Sequence, residues 1–126
     1  MADIGDETVR HPLVTRPRGA KQHVTAGPYS PVLEIDARRL VVISGQVAID
    51  IDGAVIGETI EEQTRATLAN CATQLASADC TLGDAFKVNI YLADLGQWAR
   101  FNAVYEEMMA EPLPVRTAVQ LSLIHI

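Results

Sequence analysis

Cysteine, histidine and aromatic residues are scarce in this 126-residue chain, and it has no long apolar run. The two cysteines, Cys71 and Cys80, have no second pair and no histidine at ligand spacing. They read as a buried small side chain and a loop thiol in a reducing compartment, which excludes a disulfide framework. His11 and His23 lack an acidic or cysteine partner at ligand spacing, so no metal site is expected. No apolar segment is long enough to cross a bilayer, and the stretch from Met1 to Glu7 has neither a basic nor an apolar leader region. A cytoplasmic protein without membrane attachment is the default expectation.

Basic residues are also outnumbered. The formal charge is -6, and Arg10, Arg16, Arg18 and Lys21 are scattered rather than gathered on a helix face. With no aromatic stacking platform and no histidine pair in the folded region, nucleic acid is not an expected partner. The length fits one domain, with a modest core that would gain from oligomerisation.

Residues 1–25 mix charge, proline and glycine without periodicity, and read as an N-terminal extension or an arm draped over the domain. The domain itself is expected over 26–126. It opens on Gly27-Pro28-Tyr29-Ser30-Pro31, where the two prolines hold Tyr29 in a stiff segment. Tyr29 then either walls a pocket or packs over a sheet edge.

Two apolar runs, Val32 to Ile35 and Leu40 to Ile43, flank the polar turn Asp36 to Arg39, and the second continues through Ser44-Gly45-Gln46 to Ile49. A glycine within a strand marks a bulge or a close approach, so Ser44 and Gly45 either offer peptide groups to a ligand or serve sheet geometry alone. Asp52-Gly53 signals a tight hairpin into Ala54-Val55-Ile56.

Thr59 with Glu62 has the form of a capping box, which predicts a helix from Ile60 to about Ser77. Its inner side would carry Leu68, Cys71, Ala72 and Leu75, and its solvated face Glu61, Gln63 and Arg65. The run Phe86 to Leu92 alternates, with Lys87, Asn89 and Tyr91 on the outer face. Asp94 with Gln97 predicts a second cap, before an apolar stripe of Leu95, Trp98, Phe101, Val104 or Tyr105, and Met108. Asn102 interrupts this helix as a poor helix former, which reads as an exposed turn or as a bond to a neighbouring loop. Pro112 and Pro114 stop the helix, and a last strand is expected from Val115 to about Leu123.

This order predicts an α+β fold, a single sheet with two helices packed on one face. Arg116 sits just inside the last strand, in Pro114-Val115-Arg116-Thr117-Ala118. It is either a carboxylate site or a solvated, structurally paired arginine.

Five segments in this order, Gly27 to Ser30, Ser44 to Gln46, Ile60 to Arg65, Phe101 to Tyr105 and Pro114 to Arg116, resemble the reactive-intermediate deaminase family. The resemblance implies chorismate-mutase-like subunits in a homotrimer, a ligand cleft at each subunit interface, and no cofactor. It also implies hydrolysis of small 2-imino or 2-enamino acids to 2-oxo acids and ammonia. Carried over by position, Arg116 would clamp the substrate carboxylate, Tyr29 and Asn102 would line the cleft with catalytic roles, and Ser44 and Gly45 would contribute pocket wall. Ala118 stands where many deaminating members have a cysteine, which alters the pocket. A non-catalytic carboxylate-binding or regulatory trimer, and a deaminase for a different enamine, are the alternative readings.

The family's final strand, with a glutamate proposed to activate water, has no counterpart before Ile126. A C-terminally incomplete domain is therefore expected, because a missing strand would leave sheet amides unpaired. Intact mass of the protein from its native source checks this: a mass greater than that of a chain ending at Ile126 is expected, and an equal mass would contradict it.

Overall fold

The structure, a computed structural model, describes residues 13–24 and 27–121. His11, the first part of the expected extension and the end of the expected last strand lie outside these residues.

Strand β1 (Val14–Thr15) pairs antiparallel with β2 (Glu34–Ile35). Helix α1 (Ile60–Ala76) follows, then β3 (Lys87–Leu92), α2 (Trp98–Met108) and β4 (Val115–Gln120). Strands β3 and β4 are parallel neighbours, so α2 is the crossover that parallel pairing requires. The α+β class is as expected, but the single sheet is not: the described strands form two separate two-stranded pairs.

Helix α1 starts where the local chemistry says it should. The Thr59 side chain accepts from the Glu62 amide, and the Glu62 carboxylate accepts from the Thr59 amide. Glu61 and Glu62 also place negative charge at the positive end of the helix. At the other end Asp79 takes a left-handed φ of 60°, and the amides of Asp79 and Cys80 bond back to Ala76 and Leu75 carbonyls. This is a Schellman closure, with aspartate in the place glycine usually takes. Cys71 is half-buried on this helix, where burial pushes its thiol up, and Cys80 is half-buried in the loop; both are free.

The core is a cluster of Leu68, Ile90, Phe101, Tyr105 and Met109 between the helices and the β3–β4 pair. Strand β3 alternates as expected, with Lys87, Asn89 and Tyr91 outside and Ile90 buried. The expected solvated face of α1 is instead partly engaged by α2. Arg100 donates twice to the Glu61 carboxylate at 2.8 and 2.6 Å, and Arg65 pairs with Glu107 at 2.5 Å.

Two expectations fail for identifiable reasons. The stretch from Leu40 to Val47 is not a strand: no strand pairs with it among the described residues, and Val42 stays 87% exposed. A lone segment gains no ladder bonds, whatever its β propensity. The Asp52-Gly53 turn does form, with Gly53 at a φ of 87°, but it closes on a single bridge between Ile49 and Val55. The Asn70 side chain, on α1, holds the Val47 and Ile49 carbonyls at 2.9 Å each. At the second helix, the Asp94 side chain accepts from the Gly96 amide and starts a short 3-10 turn, Leu95–Gln97. Gln97 therefore precedes α2 without closing a capping box, and Leu95 remains exposed.

Because the Thr59 cap satisfies an otherwise orphaned amide, Thr59→Ala is expected to lower unfolding free energy by about 1 kcal/mol, with Thr59→Ser nearly neutral. Urea unfolding at neutral pH measures both. An unchanged midpoint for the alanine variant would show that the helix start is held by other contacts.

Candidate functional site

Strand β4 brings Arg116 into register with Val88 of β3, and its side chain lies against α2. Trp98, Asn102 and Tyr105 of α2 fall at helical spacing of four and then three residues, which gathers them on one side. The Arg116 Cζ lies 4.9 Å from the Trp98 ring centroid and 4.6 Å from that of Tyr105. A third ring, Tyr29, approaches to 5.4 Å from the loop before β2.

Arg116 Nη1 donates to Asn102 Oδ1 at 2.8 Å, which orients the guanidinium plane. Asn102 is thus neither an exposed turn nor bonded to a loop: from within α2 its side chain holds Arg116 of strand β4. Gly27 completes the enclosure. A Cβ there would stand 3.0 Å from Arg116 Nη2, so the missing side chain is what lets the backbone come this close.

Among the described residues Arg116 has no carboxylate partner, and its buried Nε has no hydrogen-bond partner. Burial lowers its pKa, while Tyr105 and Tyr29 act the other way. A guanidinium stays charged under all ordinary conditions, so Arg116 is a cation short of solvation. The three π faces and the Asn102 oxygen compensate part of what water would supply. An arriving carboxylate would supply the rest through two parallel charge-assisted bonds.

The site residues predicted from sequence do not all converge. Arg116, Tyr29 and Asn102 come together. Ser44 and Gly45 lie in the exposed 40–47 stretch, and the position of a Gly45 Cβ has nothing within 4 Å. Ala118 is two residues further along β4, opposite Ile90, and packs against the core cluster. Trp98 and Tyr105, expected only as part of the apolar stripe, join the cluster as well, and their spacing with Asn102 is the signal in the sequence. A cleft of about 420 Å³ adjoins the cluster at Gly27 and is lined by Pro28, Glu106, Met109, Glu111 and Leu113. Arg116 borders Gly27 but does not line this cleft, so the guanidinium geometry rather than the cavity marks the site.

Residues 20–125 match the endoribonuclease L-PSP family. The chain belongs to this family. The YjgF/RidA fold is shared with the crystal structure of yeast Mmf1, at a TM-score of 0.63 and 30% identity, covering 76% of this chain and 75% of that one. The mitochondrial protein mmf2 of Schizosaccharomyces pombe is 42% identical over 93 residues, 74% of this chain and 71% of that protein. A mouse protein named 2-iminobutanoate/2-iminopropanoate deaminase is 30% identical over 103 residues, 81% of this chain and 75% of that protein. Relatives of this YjgF/RidA chain thus include named imine deaminases, alongside proteins named without an activity.

The buried Tyr105 phenol gives a pH signature. Burial pushes its pKa up to about 12, with the Arg116 charge pulling the other way. The unfolded value is about 10, so the folded chain holds the extra proton between these limits. The associated stability is whole below pH 10 and falls as pH rises through about 12. In urea unfolding between pH 9 and 11, the parent is expected to lose more stability than Tyr105→Phe. Parallel losses would show that the phenol is not buried as described.

Proposed function

We propose that this protein hydrolyses small 2-imino acids, or their enamine tautomers, to 2-oxo acids and ammonia, with Arg116 holding the substrate carboxylate. The observation that carries the reading is the half-buried Arg116 guanidinium, boxed by Tyr29, Trp98 and Tyr105, oriented by Asn102, and without a carboxylate partner among the described residues. The named deaminases among its relatives support the choice of substrate class.

The chemistry needs little beyond positioning. A protonated 2-imino acid is electrophilic at C2. The water oxygen bonds to C2 as the C=N π pair moves to nitrogen, and a proton passes from oxygen to nitrogen. The C–N bond then breaks as the hydroxyl oxygen forms the carbonyl and gives up its remaining proton to water, releasing ammonia. Arg116 would fix the carboxylate end, so that C2 is presented to water in one orientation. It would also neutralise the carboxylate in a site with little competing water. Tyr29 would wall the pocket, and Asn102 would keep the guanidinium fork aimed. Glu106 and Glu111 line the neighbouring cleft, and no role as base is assigned to them.

We further infer a homotrimer in which a neighbouring subunit completes the pocket. The exposed apolar side chains Leu40, Val42, Val47 and Val55 are compatible with a covered surface in the assembly.

The test generates 2-iminopropanoate in situ from alanine with an amino-acid oxidase, and follows oxo-acid release above the spontaneous rate. The parent is expected to accelerate release. Arg116→Ala should lower kcat/KM about 100-fold, the loss of two charge-assisted bonds worth about 1.5 kcal/mol each. Equal release by parent and variant would overturn the proposal. Arg116-dependent binding of 2-oxobutanoate without any acceleration would favour the binding-only reading instead.

A further inference from the structure

We infer that Arg16, on the arm that precedes the family-matched segment, is a positioning residue for the Arg116 site; the inference rests on the carboxylate-clamp reading above. The matched segment is 20–125, so Arg16 lies outside it.

The described part of the arm, residues 13–24, is docked through its first residues. Val14 is buried and pairs with Ile35, Thr15 pairs with Glu34, and the Asp36 amide donates to the Leu13 carbonyl at 2.8 Å. This short ladder delivers Arg16 to the place where the loop carrying Tyr29 meets the segment leading into β4. Arg16 Nη2 donates to Ser30 Oγ at 3.1 Å and to Glu111 Oε1 at 3.0 Å. Ser30, only 1% exposed, donates its hydroxyl to the Leu113 carbonyl and its amide to the Pro114 carbonyl at 3.1 Å.

One guanidinium therefore ties together two segments that are far apart in sequence. Ser30 follows Tyr29 directly, and Pro114 stands two residues before Arg116. The separation between the Tyr29 ring and the Arg116 guanidinium is set through these bonds. The Ser30 hydroxyl has one proton, which Leu113 takes, so Arg16 fills an acceptor site that would otherwise be empty in a buried place. The Arg16–Glu111 pair is half-exposed, and pairs of that kind add little to stability. Its consequence lies in geometry.

The carboxylate is the end of the substrate that does not react, so a modest loosening of its clamp, with Arg116 itself still present to orient it, falls mainly on binding and raises KM more than it lowers kcat. In the full-length protein, Arg16→Ala is expected to raise KM for 2-iminopropanoate about tenfold with kcat within twofold. Arg16→Lys, which keeps a cation able to reach both oxygens, should recover most of the loss, and Glu111→Gln should show a smaller rise in KM. A second readout does not depend on turnover: the Arg116 Nε–H resonance, assigned by its loss in Arg116→Ala, should shift or broaden in Arg16→Ala and return in Arg16→Lys. If the parent shows no hydrolysis, the deaminase reading fails while this resonance still decides the positioning claim. An unchanged KM where turnover is seen, or an unperturbed resonance in Arg16→Ala, would overturn the inference, whatever happened to Tm.

Discussion

A cation enclosed by aromatic faces, with a neutral amide oxygen but no carboxylate partner among the described residues, is the constraint on which the site depends. Arg116 contacts Trp98 and Tyr105 from one helix and Tyr29 from a distant loop, and bonds to Asn102. These contacts draw on separate parts of the fold. The parallel β3–β4 pair sets the register of Arg116, the crossover helix supplies two rings and the amide, and the loop at Gly27 comes close because it lacks a side chain. The core cluster of Leu68, Ile90, Phe101, Tyr105 and Met109 joins these parts, and Tyr105 belongs both to it and to the guanidinium box. A desolvated cation left in this state favours an anion of matching geometry, which links packing to the proposed chemistry.

Local features were legible in the sequence because their causes are local. The Thr59–Glu62 capping box, the extent of α1, the outward face of β3 and the helical stripe of α2 follow from spacing alone. The strand pairing did not follow, because a β ladder depends on a partner that local pattern does not identify. Thus Leu40 to Val47, which opens on the apolar run Leu40 to Ile43, remains irregular, while the unremarkable pair Val14–Thr15 forms a strand against Glu34–Ile35. The N-terminal arm has no periodicity, yet Leu13 to Arg16 dock it through a two-residue ladder and side-chain bonds.

The site was legible in part. Arg116 is legible as a site only through the resemblance of its surroundings to a known family; on composition alone a solvated or paired arginine fits as well. Asn102 was visible as an oddity in a helix, and its meaning needed the partner across the interface between α2 and β4. Trp98 and Tyr105 were hidden by their own chemistry, since aromatic residues at helical spacing satisfy a core and a cation box equally well. The Arg16–Ser30–Glu111 latch joins residues up to 95 positions apart, beyond any local pattern. Ser44 and Gly45 mark the limit of transfer by position: the motif is present, but its stretch is not brought to the guanidinium.

The central claim is that Arg116 is a carboxylate site, and a crystal structure of the protein soaked with 2-oxobutanoate tests it most directly. The predicted result is a carboxylate with both oxygens at hydrogen-bond distance from the Arg116 guanidinium and the Tyr29 ring alongside the ligand. A ligand bound elsewhere, with the guanidinium still held only by Asn102 and its three rings, would contradict it.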